Sequence, residues 1–215
     1  MCGQVKSASV QMRMARHVID ALAALHRLHI VHGEICPATV LFRLGQSGNK
    51  RFKLSGFRNA RPYSPPEAGV QVSSLAEDVP ASVRPYCAPE RLNRDGVVTE
   101  KSDMFAYGLL AAHCLTGRLP HRKATGEMDA GAAGSEVPSS VLQLLHECMR
   151  PLPEQRPTAH SVEKRFGLIM KELERSKSTL ARGAPVCPCL PATLHDLFTT
   201  CTSLHVLVAT QKPGA

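Results

Sequence analysis

Two short stretches carry the side chains that could do chemistry. In Val31-His32-Gly33-Glu34-Ile35-Cys36-Pro37-Ala38-Thr39-Val40-Leu41 the one carboxylate is Glu34, a group able to accept a proton, and it is followed by the Cys36 thiol and the Thr39 hydroxyl. In Lys53-Leu54-Ser55-Gly56-Phe57 the uncharged polar side chain is Ser55. Hard divalent cations take oxygen ligands, commonly one or two carboxylates beside the phosphates they accompany. Thr39 and Ser55 offer only hydroxyls, and no second carboxylate stands near them, so the two stretches are poorly equipped to hold a hard divalent cation.

Cysteine chemistry is equally sparse. The eight cysteines lie singly at 2, 36, 87, 114, 148 and 201, with only Cys187 and Cys189 close together. Scattered thiols of this kind are small core residues or free thiols. The Cys187-Pro188-Cys189 pair lacks a second Cys or His pair at zinc-finger spacing, and no metal site is assigned to it.

These stretches need elements to hold them. Met14, Val18, Leu22, Leu25 and Leu28 recur at spacings of three and four, which predicts a helix ending near His29. Ile30-Val31-His32 and a turn at Gly33 follow. Val40–Leu44, a polar turn from Gly45 to Asn49, and Arg51–Leu54 then predict a short hairpin. Residues 58 to 86 are rich in Pro, Ser, Gly and Ala and have no helical period, so they are assigned to a long surface loop. Thr99 is a suitable N-cap for a helix that is apolar on all sides from Met104 to Leu115 and stops at Gly117, a pattern that predicts burial. Beyond a Gly- and Ala-rich connection from 121 to 138, Val141, Leu144, Leu145 and Cys148 mark a third helical face that Pro151 and Pro153 break. Thr158 caps a fourth helix, along which Val162, Phe166, Ile169, Met170 and Leu173 keep the period.

This order of elements resembles the C-terminal lobe of eukaryotic-type protein kinases, and ordered landmarks fall in register with it. Residues 31 to 41 resemble the catalytic loop V-H-R-D-L-K-P-E-N-[VI]-L, and Lys53–Phe57 resembles the K-[LI]-x-D-F-G entry to the activation segment. Tyr86-Cys87-Ala88-Pro89-Glu90 resembles its A-P-E exit. Lys101-Ser102-Asp103-Met104-Phe105-Ala106-Tyr107-Gly108, continuing to Thr116-Gly117-Arg118-Leu119-Pro120, resembles the K-S-D-[VM]-[WF]-[AS]-[FY]-G helix and its T-G-x-x-P ending. Pro153-Glu154-Gln155-Arg156-Pro157-Thr158 resembles the P-x-x-R-P-[ST] turn.

The resemblance implies structural roles. Glu90 pairs with Arg156 in a largely buried ion pair, and Asp103 accepts backbone N–H groups from the loop around His32. His32 and Phe57 stack as core members of an internal spine. It also implies chemical positions, and these depart from the family. Glu34 stands where the catalytic Asp belongs, one methylene too long for a geometry on which catalysis depends. Cys36 replaces the phosphate-contacting Lys, Thr39 and Gly56 replace the two Mg ligands, Gly33 replaces the Arg of H-R-D, and Arg58 replaces the Gly of D-F-G. No G-x-G-x-x-G turn and no V-A-x-K strand precede the first helix.

The fold class expected is therefore mainly α, a protein kinase-like C-terminal lobe with a short β-hairpin beside the catalytic loop and no N-terminal lobe. The domains expected are an extension over 1–9, the lobe over 10–175 and a Pro- and Cys-containing tail over 176–215. The function expected is a pseudokinase lobe acting on a protein partner, with no cofactor; the alternative is a fragment of a serine/threonine-type kinase that uses ATP and Mg with Glu34 as a poor base. A missing N-terminal lobe is a second candidate partner.

Composition bounds the remaining classes. Hydrophobic residues at 43% and charged residues at 20% are globular values. No apolar run is long enough for a membrane span, so no membrane partner is expected and an intracellular, cytoplasmic location is the default. The net charge of +8 is concentrated in residues 1 to 60, which hold nine Lys or Arg against Asp20 and Glu34 alone. The cations are scattered singly without an aromatic stacking set, which disfavours nucleic acid as the partner.

Overall fold

The computed structural model describes residues 8–45, 48, 50–63, 70–71, 79–92, 97–123, 128–129 and 137–182. The chain divides into two units, Met1–Glu174 and Arg175–Ala215. The first holds the apolar core, three helices and the larger part of a fourth, and four small two-stranded antiparallel sheets among its described residues.

Helix α1 (Ala8–Arg27) turns Val18, Ile19 and Leu22 inward at helical spacing. It ends where His29 enters the left-handed region at φ 54, with its N–H on the His26 carbonyl at 3.1 Å. That conformation costs a non-glycine residue about 1 kcal/mol. The His29 ring packs edge-on against Tyr63, and Tyr63 N–H donates to the His29 carbonyl, which ties the turn to the chain beyond the hairpin.

Helix α2 (Glu100–Thr116) is the centre of the unit. Thr99 caps it as the sequence predicts: its hydroxyl accepts the N–H groups of Lys101 and Ser102 at 3.1 and 3.2 Å, while Ser102 Oγ accepts the Thr99 N–H at 2.9 Å. This reciprocal box satisfies donors that the first turn leaves without partners. Gly117, at φ 72, closes the other end. Phe105, Tyr107, Leu109 and Leu110 are buried against α1 on one side and against α3 (Ser139–Cys148) on the other. Tyr107 donates its hydroxyl to the Ala15 carbonyl, so its polar end is satisfied inside the core. Helix α4 (Ala159–Arg182) adds Val162 and Phe166. It continues past Leu173 because Ser176–Arg182 contains neither Pro nor Gly to stop it.

The strands are short. β1 (Ile30–Val31) pairs with β4 (Arg61–Pro62), and β2 (Val40–Leu44) with β3 (Lys50–Leu54). β5 (Val70–Gln71) pairs with β6 (Val97–Val98), and β7 (His121–Arg122) with β8 (Met128–Asp129). The stretch read as a long loop from 58 to 86 thus contains β4 and β5, and 3-10 turns at Phe57–Asn59 and Arg84–Tyr86. Two-residue strands carry no readable alternation, which is why the sequence does not announce them. The expected tail from 183 onward, with its prolines, Cys187 and Cys189, lies outside the described residues.

Candidate functional site

The loop between β1 and β2 is held from below by one carboxylate. Asp103 is buried on the first turn of α2; its Oδ2 accepts the His32 N–H at 2.7 Å and its Oδ1 accepts the Gly33 N–H at 2.9 Å. His26 Nε2, from the last turns of α1, reaches the same Oδ2 at 3.1 Å. A buried charge of this kind is stable only when its oxygens are satisfied, and three donors satisfy it here.

His32 is fully buried and its tautomer follows from its partners. Nε2 lies 2.9 Å from the Ser55 carbonyl, which can only accept, so Nε2 carries the proton. Nδ1 then accepts the Glu34 N–H at 3.2 Å. Burial holds the imidazole below its usual pKa despite the opposing influence of Asp103. His32 is therefore a neutral tie between the loop and Ser55, at the end of β3, with both nitrogens occupied.

Phe57 stacks on that imidazole at 5.0 Å between ring centroids. It is nevertheless 50% exposed, which corrects the expectation of a core residue. One face of the ring meets His32, and half of the residue's surface stays exposed.

Glu34 is buried, and its Oε1 accepts from Asn59 Nδ2 at 2.6 Å and pairs with Arg58 at 3.2 Å. Arg58 and Asn59 belong to the 3-10 turn after Gly56. The turn therefore folds back on the loop and places two donors on one of the two Glu34 carboxylate oxygens. Sequence reading identifies Arg58 as a replaced glycine and does not identify Asn59 as a partner of Glu34. A basic residue beside a lone carboxylate was the available signal.

The two positions that resemble magnesium ligands meet directly. Gly56 lies at φ 79, and a Cβ added to it would stand 2.6 Å from Thr39 Cγ2 and 3.3 Å from Thr39 Cβ. Thr39 is buried with its hydroxyl turned the other way: it donates toward the Glu34 carbonyl at 2.9 Å, lies 3.0 Å from the Cys36 carbonyl and accepts the Cys36 N–H at 3.2 Å. The hydroxyl is committed to the loop backbone and the methyl fills the space above Gly56. Cys36 is buried and contributes a thiol where a cation would be needed to meet a phosphate. Among the described residues, no three of His, Cys, Asp and Glu come together as metal donors. These residues do not fit a magnesium ion.

The support on the far side is an ion pair. Arg156, with its side chain wholly buried, places Nη1 2.6 Å from Glu90 Oε1 and Nη2 2.9 Å from Glu90 Oε2, a bidentate contact. The Glu90 side chain keeps 20% exposure, so the burial is one-sided. Arg156 also donates to the carbonyls of Arg150, Lys101 and Pro151, and its guanidinium lies 4.8 Å from the Phe105 ring centroid. Arg91, which the sequence does not single out, donates to the Gly33 carbonyl and links the segment after Glu90 to the loop. A Cβ on Gly33, at φ 77, would stand 3.2 Å from the Asn59 carbonyl, so this position takes glycine for both conformation and space.

Among the described residues no helix is long and apolar enough to cross a membrane. A protein kinase domain model matches residues 3–166. A protein kinase and PP2C-like domain-containing protein of Arabidopsis thaliana is 26% identical over 182 residues, covering 68% of this chain and 27% of its own length. The serine/threonine-protein kinase pkn2 of Myxococcus xanthus is 26% identical over 203 residues, covering 94% of this chain and 21% of its own. The serine/threonine-protein kinase PkaA of Streptomyces coelicolor is 28% identical over 167 residues, at 73% and 28% coverage. The chain spans about a quarter of the length of these curated relatives.

Proposed function

We propose, from the premise that this chain belongs to the protein kinase domain family, that it is a catalytically silent, pseudokinase-type helical lobe acting on a protein partner as an interaction or regulatory module. The observation that carries this reading is the contact between Thr39 and Gly56. Phosphoryl transfer depends on positioned phosphates and on metal ions that neutralise their charge. Here one ligand position has no side chain, the other has its hydroxyl bonded into the backbone, and the methyl of the second fills the room that the first would need. The structural ties survive alongside this loss: Asp103 to the loop, His32 to Ser55, Arg156 to Glu90. An interaction module needs the fold and does not need metal ligands. In this role neither ATP nor Mg is a cofactor, and a small N-terminal lobe is not needed for chemistry.

A second reading keeps the carboxylate of Glu34 as a weak base in a piece of a serine/threonine-type kinase, supported by the similarity to the serine/threonine-protein kinases of Myxococcus and Streptomyces. Glu34 retains a charge at the right place in the loop but holds it against Arg58 and Asn59. A thermal-shift titration with ATP alone and with Mg-ATP, run beside a phosphate-transfer assay, separates the two. The first reading expects no metal-dependent stabilisation and no transfer. Metal-dependent stabilisation with transfer abolished by Glu34→Ala overturns it.

A further inference from the structure

The β2–β3 hairpin has two unlike faces. Val40, Phe52 and Leu54 turn toward α1 and pack on the core. The opposite face is set by the register: Leu41 lies across from Lys53, and Arg43 lies directly across from Arg51. All four are exposed, Leu41 at 57%. Among the described residues none of the three cations makes an ion pair.

That arrangement works against the hairpin. Like charges directly opposite one another across a strand pair are destabilising, and a two-stranded hairpin has little stability to spare. Nothing in the attachment of the hairpin to α1 uses these residues, since the other face does that. Two arginines at cross-strand spacing, about 5 Å apart at Cβ, present planar forks suited to carboxylates. Leu41 beside them offers an aliphatic contact and no ring for a base to stack on, which favours protein over nucleic acid.

We propose that this outward face, Leu41, Arg43, Arg51 and Lys53, is a docking surface for an acidic segment of a partner protein, with carboxylates set on the three cations and an apolar side chain on Leu41. The inference rests on the reading of the chain as an interaction module and names the chemistry of its partner. It does not depend on whether Glu34 is silent, so the two can fail separately: the nucleotide and transfer assays judge the site, and the binding measurement below judges the face.

The probe is a fluorescein-labelled peptide of alternating Glu and Leu, titrated with the full chain and followed by anisotropy. Binding that weakens as NaCl is raised, and at least ten-fold in Arg51→Glu, is the expected result. Arg51→Glu places opposite charges across from Arg43, so it melts at or above the parent, and loss of binding in a chain that stable is not a folding defect. Lys53→Glu, at a different cross-strand pair, shows the same loss. No binding of the acidic peptide, binding indifferent to both reversals, equal binding of a Lys and Leu peptide, or tighter binding of a single-stranded oligothymidylate each overturns the proposal.

Discussion

Thr39 directs its γ-methyl into the space where a side chain on residue 56 would begin, 2.6 Å from the position of a Cβ there, while its hydroxyl stays on the loop backbone. The two residues are therefore a fitted pair. Gly56→Asp meets both the left-handed backbone, worth about 1 to 2 kcal/mol against a non-glycine residue, and the threonine methyl. The expected outcome is a variant destabilised by about 1 to 3 kcal/mol in chemical denaturation, with no magnesium-dependent rise in Tm. A Gly56→Asp variant that binds magnesium without loss of stability contradicts this pairing.

Arg156 and Glu90 are unequal partners. The arginine is fully enclosed and bonds to three carbonyls as well as to the carboxylate, whereas the glutamate remains partly exposed. Arg156→Met leaves a carboxylate and several carbonyls without donors and is expected to cost about 3 to 5 kcal/mol. Glu90→Gln retains an acceptor and costs less. Urea denaturation of the two variants gives the order directly.

Asp103→Asn removes the charge that receives the N–H groups of His32 and Gly33. One of the two acceptors becomes an amide, which cannot accept. Hydrogen bonds to charged groups contribute about 1.5 to 3 kcal/mol, and a loss of that size is expected. Hydrogen exchange reads the site as well: the amides of 32 and 33 exchange faster in the variant than in the parent.

Burial holds His32, His17 and His113 below the ordinary value of 6.5 in the folded chain. Between 6.5 and their folded values the unfolded state binds more protons, so stability increases with pH in that window. It is complete above 6.5 and is lost as pH falls below 6.5 toward the folded values. A Tm series from pH 8 to pH 5 is expected to be flat at first and then to decline. His32, whose Nδ1 must stay unprotonated to accept the Glu34 N–H, contributes to that decline through a lost bond as well as through a buried charge.

Arg51→Glu converts a repulsive cross-strand pair with Arg43 into an attractive one. A gain of about 0.2 to 1 kcal/mol is expected for the hairpin, measured as a rise in Tm that diminishes in high salt.

The sequence by itself determined the helices, because they depend on local chemistry repeated at fixed spacing. Thr99 and Gly117 bracket α2 through capping groups adjacent to it in the chain, and the apolar period of α1, α3 and α4 is written in the residues that become buried. The landmark residues Asp103, Glu90 and Arg156 were legible as partners only through the family pattern, since each contact joins positions 66 to 71 residues apart. What only the tertiary structure decided was how the altered site is filled. That Asn59 and Arg58 occupy Glu34, that the Thr39 methyl stands over Gly56, and that half of Phe57 stays exposed all depend on where the turn after β3 folds relative to the loop before β2. Sequence spacing carries no information about that approach; it is set by the His32 side-chain bond to the Ser55 carbonyl and by the register of the hairpin, which hold the two segments together.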